Sequence, residues 1–144
     1  MGVPYAPVGN GGDEPMATVS FELGGMAFEY DEEKNRINIK KHGIDFRSAA
    51  RVFFDYDRIE IVDDLHSDFE ERYDAIGDTS AGNFVKDSII IGTPLVGDDI
   101  NDILFVVYTD RVKIEKDGQK IDVTRLISAR LATEFERGVY YGKC

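Results

Sequence analysis

The segment Ile103-Leu104-Phe105-Val106-Val107-Tyr108 is almost wholly apolar. A run of this length and composition fits a strand covered on both faces, which places it at the centre of a sheet. A hairpin follows, because Val112 to Lys116 and Gln119 to Ala129 flank Asp117-Gly118, a strong turn signal. In the second arm Ile121, Val123, Ile127 and Ala129 alternate with Asp122, Thr124, Ser128 and Arg130. One face is therefore mostly core, and Ser128 and Arg130 point the same way on the other. Arg58 to Val62, Arg72 to Gly77 and Ser88 to Gly92 read as further strands. Val19 to Tyr30, interrupted by Gly24-Gly25, reads as one or two strand pieces.

Helical signals sit on either side of these strands. Asp31 stands where an N-cap belongs, and Glu32 to His42 carries acids in its first turn and Lys40, Lys41 and His42 in its last, before Gly43. That polarity matches the helix dipole, and the glycine suits a C-cap. Phe46, Ala49, Ala50 and Phe53 follow the spacing of a buried helical face and predict a second, short helix. Thr133 with Glu136 forms a capping box for a final helix, on which Glu134, Arg137 and Tyr141 share one side and Phe135 and Val139 another. The expected class is α+β: an open, mainly antiparallel sheet packed with two N-terminal helices and one C-terminal helix.

A chain of 144 residues has room for one core. Residues 1–18, rich in Pro and Gly, read as a flexible extension, and residues 19–144 as a single domain. The lone cysteine, Cys144, excludes an internal disulfide and a Cys-based zinc site. No apolar stretch approaches the roughly 18 residues of a membrane span, and no export signal is seen, so a cytoplasmic location is expected. The net charge of −11 opposes a nucleic-acid partner unless cations are gathered locally. They are unevenly spread. Residues 55–78 hold ten Asp/Glu against two Arg, whereas residues 111–144 hold eight Lys/Arg against five acids.

Several blocks of the sequence resemble one family. The most specific is Phe28 to Phe46, FEYDEEKNRINIKKHGIDF; Ala49-Ala50, Val52-Phe53, His66-Ser67, Glu70-Glu71-Arg72, Ile76-Gly77 and Val106-Val107-Tyr108-Thr109 follow. Arg125-Leu126-Ile127-Ser128-Ala129-Arg130, with Ala132, Glu134 and Glu136, closes the series. In this order the blocks resemble the BrnT family of bacterial type II toxins. The resemblance implies a RelE-like fold, ribonuclease activity, neutralisation by a cognate BrnA-like antitoxin, and operator DNA contacted only through that antitoxin. It places the usual start near Met26, so that residues 1–25 are an extension. The chain departs from the family in its long linker between Gly77 and Ile103, its long hairpin, and its acidity.

Cleaving RNA without a metal or other cofactor needs a base for the 2′-hydroxyl, an acid for the leaving oxygen and cations for the charge that builds on phosphate. Candidate catalytic residues are Lys41, His42, Arg72, Tyr108, Arg130 and Glu134. Candidate RNA contacts are Lys40, Lys41, Arg72, Arg130, Arg137 and Tyr141. Arginine suits a phosphate clamp because its planar fork bonds two oxygens at once, and Arg130 is the foremost candidate. Each residue also has a plainer role: a salt bridge for Arg130, helix capping for Lys41 and His42, a polar-tipped core aromatic for Tyr108, and a solvated helix face for Glu134. No phosphate loop, nucleophile elbow or zinc spacing competes. The expected function is a metal-independent endoribonuclease toxin; the rival is a noncatalytic binding module of the same fold.

Overall fold

The computed structural model describes residues 17–66, 70–80 and 102–142. The chain forms β1 (Thr18–Leu23), β2 (Met26–Asp31), α1 (Glu32–His42), α2 (Phe46–Ala49) and β3 (Ile59–Val62). β4 (Tyr73–Asp78), β5 (Ile103–Ile114), β6 (Lys120–Leu131) and α3 (Glu134–Tyr140) follow. A 3₁₀ turn over Ala50–Phe54 extends α2, so the predicted second helix is a single α turn continued in tighter form. The strand expected over Ser88 to Gly92 lies outside the described residues.

The six strands run in the order β1-β2-β6-β5-β4-β3, with β5 and β6 at the centre. The sheet is mixed: β2 pairs in parallel with β6, and the other pairings are antiparallel. The apolar run from Ile103 to Tyr108 and the hairpin arm expected from Val112 are one continuous strand, with Tyr108 in its interior.

Register explains which residues face inward. Val107 pairs with Ser128 and Tyr108 with Leu126, which leaves Ile127 as the extra residue of a β-bulge. The bulge breaks the even alternation expected of β6. Leu126 and Ala129, rather than Ile127 and Ala129, are buried in the core.

The core lies between the sheet and the α1–α2 region, where Phe28, Tyr30, Phe46, Phe53, Leu104, Val106, Tyr108, Leu126 and Ala129 meet. Tyr30 packs edge-on against Phe46, and Phe53 edge-on against Tyr108. β1 belongs to this body. Phe21 stacks on Phe28, and both Phe21 and Leu23 are buried. The extension expected over residues 1–25 thus contributes an edge strand, and the boundary expected at residue 18 falls on the first residue of β1.

Local chemistry fixes α1. Asp31 accepts hydrogen bonds from the Glu33 and Lys34 amides, and Gly43 ends the helix in the left-handed conformation at φ 73°. Beyond the end of β2 the edge of β6 is open, and Asn38 fills the gap. Its side-chain amide donates to the Ala129 carbonyl at 2.8 Å and to the Ile44 carbonyl at 3.0 Å, and its carbonyl accepts from the Ala129 amide at 3.1 Å. The last turn of α1 is thereby held at the β6 edge, next to the residues that flank Arg130.

Candidate nucleic-acid interface

Strand alternation gives the sheet a second face, turned away from α1 and α2. The pairs Phe105 with Arg130, Val107 with Ser128, Thr109 with Arg125 and Arg111 with Val123 follow one another along it. Glu29 joins from β2 as the partner of Arg125, and Asp74 from β4 as the partner of Val107. Arg72 immediately precedes β4, and the period of two places it on the face of Asp74. Thr109 donates its hydroxyl proton to the neighbouring Glu71 carbonyl at 2.7 Å, which ties this end of β4 to β5. Arg72, Arg111, Lys113, Arg125 and Arg130 therefore share one face.

Arg130 is held on three sides. It forms a two-pronged ion pair with Glu136 at 2.8 and 2.9 Å, donates to the Leu131 carbonyl, and lies 4.2 Å above the Phe105 ring. The pair pulls the two groups apart in titration: the Arg130 bond and charge hold Glu136 below the usual carboxylate range despite its burial, and Glu136 raises Arg130. Glu136 is also the carboxylate of the α3 capping box, since it accepts from the Thr133 amide. The salt bridge weighed for Arg130 from the sequence is thus present, on the same face as Arg72.

The remaining sequence candidates fall in different places. Lys40, Lys41 and His42 are exposed on the last turn of α1. Glu134 is exposed in the first turn of α3. Arg137 pairs with Asp102 at 2.5 Å, and Tyr141, half exposed, packs edge-on against Tyr140. Tyr140 donates to Asp55 at 2.6 Å, fastening the end of α3 to the turn below α2. Tyr108 does not reach the arginine face. It is 4% exposed on the helix side, and its hydroxyl donates to Glu60. Burial and the Glu60 carboxylate push its phenol well above the ordinary range, so the polar-tipped core role describes it.

Sequence reasoning missed the cluster around Glu29. This carboxylate is 2% exposed, with Lys113 at 2.7 Å, Arg125 at 2.9 Å and Arg111 at 3.7 Å. Burial raises its pKa, but the hydrogen bonds and charges of Lys113 and Arg125 outweigh that and hold it below the ordinary value. Arg111 reaches Glu70 as well, at 3.1 Å. A signal was available: Glu29 occupies an outward position between Phe28 and Tyr30 in an apolar strand, where a lone acid needs a partner. Arg125 lies 96 positions away, Arg111 and Lys113 are likewise far along the chain on β5, and all three become visible only with the β2–β6–β5 register.

Among the described residues, no cluster of His, Cys, Asp and Glu is arranged to hold a metal ion, and no helix is long and apolar enough to cross a membrane. The fold and this face define a class: a small α+β protein with α1 and α2 on one side of a mixed sheet and arginines gathered on the other. The family model described as "Ribonuclease toxin, BrnT, of type II toxin-antitoxin system" matches residues 30–86. The resemblance read from the sequence blocks is thereby borne out over α1, α2, β3 and β4. Lys40, Lys41, His42 and Arg72 lie within the matched stretch, and Arg130, Glu134, Arg137 and Tyr141 beyond it. A search of curated proteins finds no match.

Proposed function

We propose that this chain is the toxin of a type II toxin-antitoxin pair, a RelE-like, cytoplasmic endoribonuclease that works without a metal ion and is silenced by a cognate BrnA-like antitoxin. Operator DNA is contacted only through the antitoxin. The family match supports the toxin class. The site rests on one arrangement: the strand period places Arg72, just ahead of β4, on the sheet face that bears Arg130, and Asn38, bonded to the Ala129 backbone, keeps the end of α1 that carries Lys40, Lys41 and His42 at the edge of the same strand. In this reading the two guanidinium groups hold the scissile phosphate and stabilise the charge that grows on it. Lys41, His42 and Glu134 supply the proton donor and acceptor. Arg137 and Tyr141 extend the contact along α3, Tyr141 as a stacking surface for a base. Tyr108 has no part in the reaction, because its hydroxyl lies on the helix side.

A second reading rests on a specific observation. Arg130 already holds Glu136 with both prongs, and a phosphate must displace that carboxylate to be clamped. In a chain of net charge −11 the face can equally serve a noncatalytic module that binds the antitoxin. The full chain decides between them, expressed under tight control beside Arg130→Ala, Arg130→Lys and Arg72→Ala. Growth arrest and RNA cleavage are measured with a chelator present, and folding is checked by circular dichroism. The expected outcome is chelator-resistant cleavage that falls roughly 100-fold or more in Arg130→Ala, the scale of losing one preorganised charge stabiliser. A folded, harmless and inactive wild type assigns the chain to the binding module.

A further inference from the structure

The Glu29 cluster has more positive charge than it needs. One carboxylate neutralises one cation, yet Arg111, Lys113 and Arg125 all stand within 3.7 Å of it, and among the described residues Glu70 pairs with Arg111 as a second acid. Arg111 and Lys113 remain 41% and 45% exposed at their side chains, and Glu29 sits behind them at 2%. Gathering three cations costs mutual repulsion that an anion on the open side would relieve. The group is also continuous with the proposed reaction surface, since Thr109 stands beside Arg125 and its hydroxyl bonds the residue before Arg72. Arg111 and Lys113 follow at same-face positions of β5, about 7 Å apart along the strand.

We infer that Arg111, Lys113 and Arg125 form a phosphate-binding row that holds the RNA backbone beside the reaction centre, with Glu29 spacing the three cations from behind. The inference rests on the ribonuclease reading and extends it: the row grips sequence-independent backbone, and the chemistry stays with Arg72 and Arg130. Each phosphate contact on a single strand contributes about 0.7 to the slope of log affinity against log salt.

The test uses the full chain and a labelled single-stranded RNA, 2′-O-methylated throughout so that it is not cleaved. Binding is measured by fluorescence anisotropy across a salt series for wild type, Arg111→Gln/Lys113→Gln and Arg130→Lys, with thermal melting to check folding. Both glutamines sit at half-exposed positions, and a second pair, Arg111→Ala/Lys113→Ala, guards against a misfolded first one. The row predicts a slope smaller by about 1.4 in the double variants, with weaker binding whatever the RNA sequence. Folded double variants with the wild-type slope overturn the row and leave the ribonuclease reading standing. If they instead lose only the capture of an acidic polypeptide, the row belongs to a protein partner and the inference is again overturned. A wild type that binds no RNA overturns the ribonuclease reading together with the row.

Discussion

At the scale of single residues, buried Glu29 makes the sharpest claim on stability. Burial pushes its folded-state pKa up, but the ion pairs with Lys113 and Arg125 outweigh that and keep it below the ordinary 4.5. A carboxylate depressed in this way contributes stability that is fully present above its unfolded pKa and lost as pH falls through the folded value. Glu29→Gln keeps the shape but takes their carboxylate from Lys113 and Arg125 and leaves Arg111 to Glu70. About 1–2 kcal/mol of destabilisation near neutral pH is expected, below the usual cost of breaking a buried pair because Arg111 and Lys113 can turn to water. Urea unfolding at pH values from about 7 down to about 3 reads both effects, since the variant should lose less stability on acidification than wild type. Identical acid limbs for the two proteins would show that Glu29 is not the group that titrates.

At the scale of elements, the least expected contribution comes from β1. The blocks of family resemblance begin after it, yet Phe21 stacks on Phe28 at 5.2 Å and meets Tyr30 at 5.9 Å. Phe21→Ala should cost about 3 kcal/mol, the range for truncating a buried aromatic, read as a lower midpoint in chemical unfolding. A midpoint unchanged within error would return β1 to the status of a dispensable extension. The case shows what a sequence can and cannot reveal. The helix α1 was legible to the residue because Asp31, the flanking charges and Gly43 are local determinants, and the β5–β6 hairpin was legible from Asp117-Gly118. The parallel pairing of β2 with β6 was not, because no local pattern records which strand lies beside which. The bulge at Ile127 was hidden for the same reason, and so was the part of the site that depends on pairing: Arg72 and Arg130 could be named as cations, but Arg111, Lys113 and Arg125 became part of one surface only through register. Gly77 is a smaller example. A Cβ there would stand 3.0 Å from the Val52 Cβ, so the close approach of β4 to the 3₁₀ turn requires a glycine that the strand pattern alone does not explain.

At the scale of the whole molecule, the charges act in two opposed ways. A net charge of −11 makes the compact state repel itself, whereas the described residues of the sheet face gather Arg72, Arg111, Lys113, Arg125 and Arg130 around Glu29, Glu70, Asp74 and Glu136. Salt screens long-range repulsion between exposed charges more completely than it screens short, partly buried pairs such as Glu29 with Arg125 or Glu136 with Arg130. Folding stability should therefore rise modestly as sodium chloride increases from about 50 to about 500 mM, where the Debye length shrinks below about 5 Å. RNA affinity, which depends on the exposed cations, should fall over the same range. Thermal melting and anisotropy on one set of samples test the opposition directly. If the melting temperature falls along with affinity, the ion pairs of the sheet face outweigh the net repulsion, and the acidic surface is not a burden on the fold. If melting rises while affinity falls, the acidic remainder of the molecule and its arginine face are separate electrostatic systems, and an acidic chain can still present a local surface for RNA.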